Sequence, residues 1–416
     1  GAMILGLGPV YISGYIPSTD NINGFRDAVP TMILFLVLLF VPQVRLRVGQ
    51  IKGILAAPVP SMHRTLAFGV VLIAAIAIIT PLLSDTNVLR AGTALAFAMV
   101  MLSLVLLTGY GGHVSLAQLS FMGIGAAVVC KLNTGSPFAI VFAVVVAAAV
   151  GALVALPVLR LTGLFLALAT LAFAQMMDKL VFQANFMFGF NGLLHAKRVS
   201  LFGITFGSAR SYLVLMAIVF VLMSIVVLSV RRGPVGRLLI AMRDSPAACG
   251  TLGLNQRWFR VGLFSASAGM AGLAGALFVG LTQTADPSEF QSLSGLVLLL
   301  LAVVCGVTSV TGALVGGFLL MFLPVLQSEI PGLAGLEFLV IGIGAVSLGR
   351  DPNGLANKIF DFGRFAQDRL PPVNWGKTKR KGGQSPALHP DDSDESTASY
   401  ETDPASADAM VSHGTA

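Results

Sequence analysis

Apolar residues in this chain come in long unbroken runs, not at the alternating spacing of strands or the one-sided spacing of a soluble helix. The runs fall at about 28–43, 66–83, 90–109, 114–132, 137–159 and 163–183. Others follow at about 212–230, 260–282, 293–311, 312–328 and 333–349. A helix that crosses a bilayer needs ~20 apolar residues, and in lipid a helix satisfies its backbone hydrogen bonds within one segment. The pattern therefore predicts an all-α fold, a polytopic α-helical membrane protein with about 10–11 transmembrane helices. A β-barrel does not fit, because its strands would alternate apolar and polar positions.

Composition sharpens this reading. Hydrophobic residues make up 56% of the chain and charged residues 11%, where a soluble domain carries roughly 25% charged residues. A net charge of +7 would suggest a nucleic-acid partner in a soluble protein. Here the basic residues sit at the ends of apolar runs, so membrane topology explains them and no nucleic acid is expected. Arg45, Arg47, Lys52 and Arg64 fall in 42–64 without an acid. The loop 231–260 holds Arg231, Arg232, Arg237, Arg243, Arg257 and Arg260 against the single acid Asp244. The stretch from Arg350 to Lys381 holds eight Lys and Arg. An excess of basic residues marks cytoplasmic segments. Six runs separate the first pair of these segments and four the second, and both even counts return the chain to the same side.

The loop 231–260 has more pattern than a linker. Leu238, Leu239, Ala241 and Met242 recur at helical spacing, Ala247 and Ala248 follow, and Gly253 stands where a helix would end. A short amphipathic helix on the cytoplasmic face would present this surface to a soluble partner. Two interruptions of the apolar pattern lie inside the predicted bundle. One is Thr108-Gly109-Tyr110-Gly111-Gly112-His113-Val114-Ser115-Leu116-Ala117-Gln118, and the other runs from Cys305 and Gly306 through Thr308, Ser309 and Thr311 to Gly312, Gly316 and Gly317. Glycines permit turns that free backbone groups to line a cavity, which fits a translocation path built from repeats with a midplane site. A tight turn capped by Ser115, and close packing through Gly312 and Gly316, are the simpler readings. His113 titrates near neutral pH and is a candidate proton carrier, though an interfacial role is the commoner one. Gly269, Gly272 and Gly275 read as packing positions.

Of the remaining charges near the runs, Asp178 and Lys179 lie closest to the membrane, where they close their helix and can pair locally. No chain of buried acids of the kind ion-coupled carriers use is visible, so the energy is expected from a partner. Cys130, Cys249 and Cys305 have no metal-ligand spacing and read as small packing residues. The segment Trp375-Gly376-Lys377-Thr378 lacks the earlier glycine, the strand and the helix of a phosphate loop. No cofactor, metal or catalytic residue is expected. The tail 371–416 has too little apolar content to fold and is expected to be disordered and cytoplasmic.

At several separate motifs the sequence resembles the membrane permeases of branched-chain amino-acid ABC importers. They are TGYGGHVSLAQLSFMGIGA (108–126), RLTGLFLALATLAFAQMM (160–177), GFNGL (189–193), GRLLIAMRDSPAACGTLGLN (236–255) and LAGALFVGLTQTADPSEFQSLSGLVLLLLAVVCGVTSVTGALVGG (273–317). The likeness runs in family order over about 65–350. It implies a permease domain at 65–350 in a prokaryotic cytoplasmic membrane. The implied partners are ABC ATPase subunits, a companion permease, an extracytoplasmic solute-binding protein, membrane lipid and a branched-chain amino acid. It also implies a coupling role for Gly236, Arg237, Arg243, Asp244, Ala247, Ala248 and Gly253, with Arg237, Arg243 and Asp244 in the ATPase groove. Gly109, Gly111, Gly112, His113, Ser115, Gln118, Gly306, Ser309 and Gly312 become the candidate translocation pathway. Residues 1–50, one expected transmembrane helix included, resemble the C-terminal end of the companion permease, which suggests part of a fusion; an added anchor is the simpler reading. Pro246 and Gly250 stand where the family usually has acids, Cys249 replaces an alanine, and His113 replaces a small or amide residue.

The leading expectation is thus a non-enzymatic permease subunit for leucine, isoleucine and valine. A urea or short-amide permease of the same family is the nearest alternative. An ion-coupled amino-acid carrier would need a buried acid, and a membrane scaffold would need no glycine-broken helices.

Overall fold

The computed structural model describes residues 11, 25–40, 62–161, 163–188, 193–198, 200–201, 204–205, 207–329 and 342. The expected run at 333–349, the basic stretch 350–381 and the tail 371–416 lie outside the described residues, apart from position 342. So do most of 1–24, the basic stretch 41–61 and most of GFNGL.

The apolar runs are helices. They are α1 (Phe25–Phe40), α2 (Met62–Ile79), α3 (Asp85–Leu104), α4 (Gln118–Leu132), α5 (Pro137–Val158) and α6 (Leu164–Met176). After them come α7 (Ala209–Arg232), α8 (Pro234–Asp244), α9 (Pro246–Thr251), α10 (Gln256–Thr282), α11 (Ser292–Gly306) and α12 (Val310–Glu329). Among the described residues, seven are long and apolar enough to cross a membrane and three more are apolar but shorter. The protein is a multi-pass, all-α membrane protein. Helix starts follow local chemistry: Ser84, Ser136, Ser208 and Asn255 each accept a backbone N–H from the first turn of α3, α5, α7 and α10.

Two helices differ from their sequence pattern. Both α3 and α6 continue as wider π turns, Val105–Tyr110 and Met177–Phe182. The expected run at 114–132 does not begin as a helix, because residues 111–117 are non-helical and α4 starts at Gln118. Ser115 does not cap α4 as expected; its hydroxyl accepts the Ala117 N–H at 3.3 Å, and the cap position is Ala117. Two small antiparallel pairs also appear where no strand was expected. In one, β1 (Leu194–His195) joins β4 (Thr284–Ala285), and in the other β2 (Ser200–Leu201) joins β3 (Ile204–Thr205).

Helices α3 and α10 form the centre. Of their spans 78% and 72% is buried within the protein, against 11% for α2 and 28% for α12. Helix α10 packs on α5, α4 and α3, α12 packs on α3, and α7 lies against α2 and α3. The outer helices turn Val70, Val71 and Ile78 of α2 and Phe138, Val141 and Phe142 of α5 outward, as lipid or an apolar partner requires. Without a hydrophobic drive between helices in lipid, close approach matters more than side-chain bulk. At Gly275 a Cβ would run into the carbonyl oxygen of Met122, so α4 and α10 meet backbone to backbone there. Gly272 and Gly275 are packing positions, as their spacing suggested. Cys130, Cys249 and Cys305 are buried thiols.

Candidate functional site

The two interruptions read from the sequence meet at one end of the bundle, beside the basic loop. The π turn that ends α3 changes which carbonyls the helix uses. Gly111 N–H bonds the Leu106 carbonyl, Gly112 N–H that of Thr108, and His113 N–H that of Leu107. The Gly109 carbonyl is left to a partner from elsewhere. Arg243, in the last turn of α8, fills it: Nη1 donates to Gly109 O at 2.9 Å, while Nε donates to Asp244 Oδ1 at 3.2 Å. Gly112 has φ +70°, a left-handed turn, and a Cβ there would lie 2.5 Å from Arg243 Cγ. Glycine is required on both counts.

The second interruption sits on the first. A Cβ on Gly109 would meet the Val307 carbonyl, so the α11–α12 connection touches the π turn directly. Arg231, buried at the end of α7, lies over the Tyr110 ring at 4.9 Å from its centroid and reaches the Thr308 carbonyl at 3.5 Å. Ser309 starts α12: its hydroxyl accepts the Gly312 N–H at 3.4 Å and shares a 2.7 Å hydrogen bond with Thr311. Gly306 takes φ +109°, and a Cβ on Gly312 would press on the Cys305 and Gly306 carbonyls.

Just inside this junction lies a buried polar cluster. Gln118 Nε2 donates to Ser267 Oγ at 3.1 Å, Ser103 Oγ donates to Gln118 Oε1 at 3.1 Å, and Ser267 Oγ donates to Ser103 O at 2.9 Å. Thr170 of α6 accepts the Leu116 N–H at 3.0 Å. Buried polar groups are stable only when paired, and here they fasten the start of α4 to α3, α6 and α10. Ser103, Thr170 and Ser267 escaped the sequence reading because a lone hydroxyl in an apolar run announces nothing by spacing.

The expected pathway residues therefore fall in one region: Gly109, Gly111, Gly112, His113, Ser115 and Gln118 from one segment, Gly306, Ser309 and Gly312 from the other. A Cβ on Gly111 would meet Leu263 and the Leu107 carbonyl. His113 is half-buried. Burial, with the Arg260 guanidinium nearby, lowers its pKa to about 4, so it is a neutral imidazole at pH 7 and not the near-neutral proton carrier its residue type suggested.

The expected docking helix is two helices, α8 and α9, broken at Ser245. Gly236 is buried because a Cβ would press on the Arg231 backbone, which seats α8 on the end of α7. Arg237, Asp244 and Ala248 are exposed, and Ala247 lies in α9. Two expectations are corrected. Arg243 points inward to Gly109 and not outward, because the freed carbonyl attracts the guanidinium. Gly253, with φ +77°, follows the helix instead of ending it, since α9 stops at Thr251. Around Arg237 and Arg257 the same end exposes Val235 (45%), Leu252 (79%) and Trp258 (62%), apolar side chains outside any span.

Helix α10 runs 27 residues away from this junction, about 40 Å at 1.5 Å per residue. At that far end Phe290 packs on Phe182, Phe188 and Phe278, beside the β1–β4 pair. A cavity of about 320 Å³ opens there between α1, α6 and α11, with Asp178, Lys179, Gln175 and Gln291 among its lining.

The sequence matches the model of a family described as the branched-chain amino acid transport system permease component, over residues 86–343. It is 31% identical over 251 residues to the high-affinity branched-chain amino acid transport system permease protein LivM of Escherichia coli (strain K12). It is 30% identical over 251 residues to the protein of the same description from Salmonella typhimurium (strain LT2). Each match covers 54% of this chain and 57% of the relative, so the chain spans little more than half the length of the curated relatives it matches. No solved structure matches it.

Proposed function

This chain belongs to the branched-chain amino acid transport system permease family, and from that premise we propose that it is a membrane subunit of an ABC importer for leucine, isoleucine and valine. It is a transport permease, and the work is done by a separate ATPase. Its partners are ABC ATPase subunits at the α8–α9 end, a companion permease along the apolar outer faces, and an extracytoplasmic binding protein at the far end. The α8–α9 end faces the cytoplasm of a prokaryote, with the basic loops and the tail on that side. The permease domain is 65–350, preceded by a segment related to the end of a companion permease.

One observation carries the mechanism. The short helix α8 bears exposed Arg237 on one side and inward Arg243 on the other, and Arg243 holds the carbonyl that the π turn of α3 releases. A push on α8 from a soluble motor thus reaches the broken helix through one charged hydrogen bond. Exposed Val235, Leu252 and Trp258 among arginines supply the amphipathic docking surface for that motor. The helix breaks at Gly109–Ser115 and Gly306–Gly312 are the moving walls of the path.

The test is ATP-dependent leucine uptake into proteoliposomes holding this chain, its companion permease, the ATPase and the binding protein. Uptake that needs all four components supports the reading. Uptake that follows an ion gradient without the ATPase overturns it. Hydrolysis that responds to urea or a short amide and not to leucine keeps the architecture and replaces the substrate.

A further inference from the structure

We propose that the cavity between α1, α6 and α11 is a receiving site for a zwitterionic α-amino acid, with Asp178 taking the ammonium group and Lys179 the carboxylate. The inference rests on the chain being an amino-acid permease and adds where, and by which groups, the amino acid is first held.

The cavity volume, about 320 Å³, falls at the small end of the roughly 300–1,000 Å³ usual for small-molecule sites. Its lining is unusual for an apolar bundle. Asp178 and Lys179 are consecutive residues on the π turn Met177–Phe182, and Asp178 is 9% exposed. Neighbouring residues of a helix point about 100° apart, and among the described residues the two form no ion pair. They present opposite charges to one space instead of to each other. A molecule that carries both charges a few bonds apart satisfies both at once. Gln175 and Gln291 add neutral donors and acceptors, and the exposed Leu293 gives an aliphatic side chain a place at the rim. The π turn is what brings the pair into the cavity, and such turns recur at functional positions.

Asp178 also interacts with the backbone and hydroxyl of Ser292, the first residue of α11. A pure helix-capping role would account for Asp178. It leaves unexplained Lys179 and the two amides facing the same space. The cavity lies at the opposite end of α10 from the docking helices, which is where an incoming solute is delivered under the proposed orientation.

The experiment uses the assembled transporter in nanodiscs, without binding protein or nucleotide. Equilibrium binding of radiolabelled leucine is competed with leucinamide, which lacks the carboxylate charge, and with 4-methylpentanoate, which lacks the ammonium group. In the unmodified protein each analogue competes about tenfold or more weakly than leucine. Lys179→Gln removes the advantage of leucine over leucinamide alone, and Asp178→Asn removes its advantage over 4-methylpentanoate alone. Lys179→Arg keeps both. A cap without a site predicts a less stable Asp178→Asn protein with unchanged competition, and that result overturns the proposal, as does a wild-type protein that binds no leucine. ATP-driven uptake on the same preparations separates the two readings. Unaltered uptake and competition in both variants removes the site and leaves the permease. Charge-matched competition with no uptake of any branched-chain amino acid removes the importer and leaves the site.

Discussion

The guanidinium of Arg243 donates to the Gly109 carbonyl at 2.9 Å, joining positions 134 residues apart in the chain. One group belongs to the short basic helix and the other to the point where a central span loses its α-helical hydrogen bonds. A charged donor on a carbonyl of this kind is worth about 1.5–3 kcal/mol.

Arg243→Ala should therefore leave ATPase binding and hydrolysis in place while uptake falls about tenfold or more. Lysine at 243 restores little of it, because a point charge does not reproduce the planar fork. Arg237→Glu, on the exposed side of α8, should instead weaken ATPase capture. Pull-down and uptake on the same membranes distinguish the two; equal loss of capture in both variants contradicts the assigned directions.

Gly112→Ala places a side chain where φ is +70° and its Cβ 2.5 Å from Arg243 Cγ. Backbone strain of about 1–2 kcal/mol is expected, with a steric term on top. In an Arg243→Ala background only the strain remains. A thermal-melt cycle of the two single variants and the double variant reads the coupling directly, and strict additivity argues against contact.

His113 should make the protein less stable as pH falls from about 6.5 to about 4, since its folded pKa lies near 4 and its ordinary value is 6.5. The sign follows from proton binding: between those values the unfolded chain holds the extra proton, so stability rises with pH. Above about pH 6.5 the residue contributes no further slope. His113→Gln should flatten the melting temperature across that window and leave uptake between pH 7 and 8 without a new pH dependence. A steep change in uptake near neutral pH that His113→Gln abolishes would restore the proton-carrier reading.

Gln118→Leu strips partners from Ser103 and Ser267 inside the bundle. Each buried group left unpaired costs about 1–3 kcal/mol, so the melting temperature should drop by several degrees. Adding Ser103→Ala and Ser267→Ala should recover part of the loss, because no orphaned hydroxyl remains. A triple variant less stable than Gln118→Leu alone would show that the hydroxyls have other work.

Much of this was readable from the residues. Runs without charge can only be helices in lipid, so the helices fell where the pattern put them, and the glycine clusters at 109–112 and 306–312 did mark breaks. What spacing could not show was that the two breaks touch. That contact depends on α3 and α12 packing side by side, a relation between residues some 200 positions apart in the chain. Arg243 was legible as a cation and not as an inward one, since direction is set by the π turn and nothing in Val105–Tyr110 announces a π turn. Ser103, Thr170 and Ser267 look like tolerated hydroxyls until Gln118 and Leu116 arrive beside them. Asp178 and Lys179 read as a local pair at a helix end, because a sequence does not display the cavity in front of them.

The two π turns also change what the length of the chain means. Removing one residue between Val105 and Tyr110 would restore ordinary α spacing and swing everything beyond it by about 100°. Tyr110 would leave Arg231, and Gly109 would turn its oxygen away from Arg243. The same deletion between Met177 and Phe182 would rotate Lys179 out of its cavity. In most helices a gap of one residue is absorbed at the nearest loop. Here, among related chains, a single gap at either place separates two different machines, and residue count in these six-residue stretches is a heritable setting in its own right.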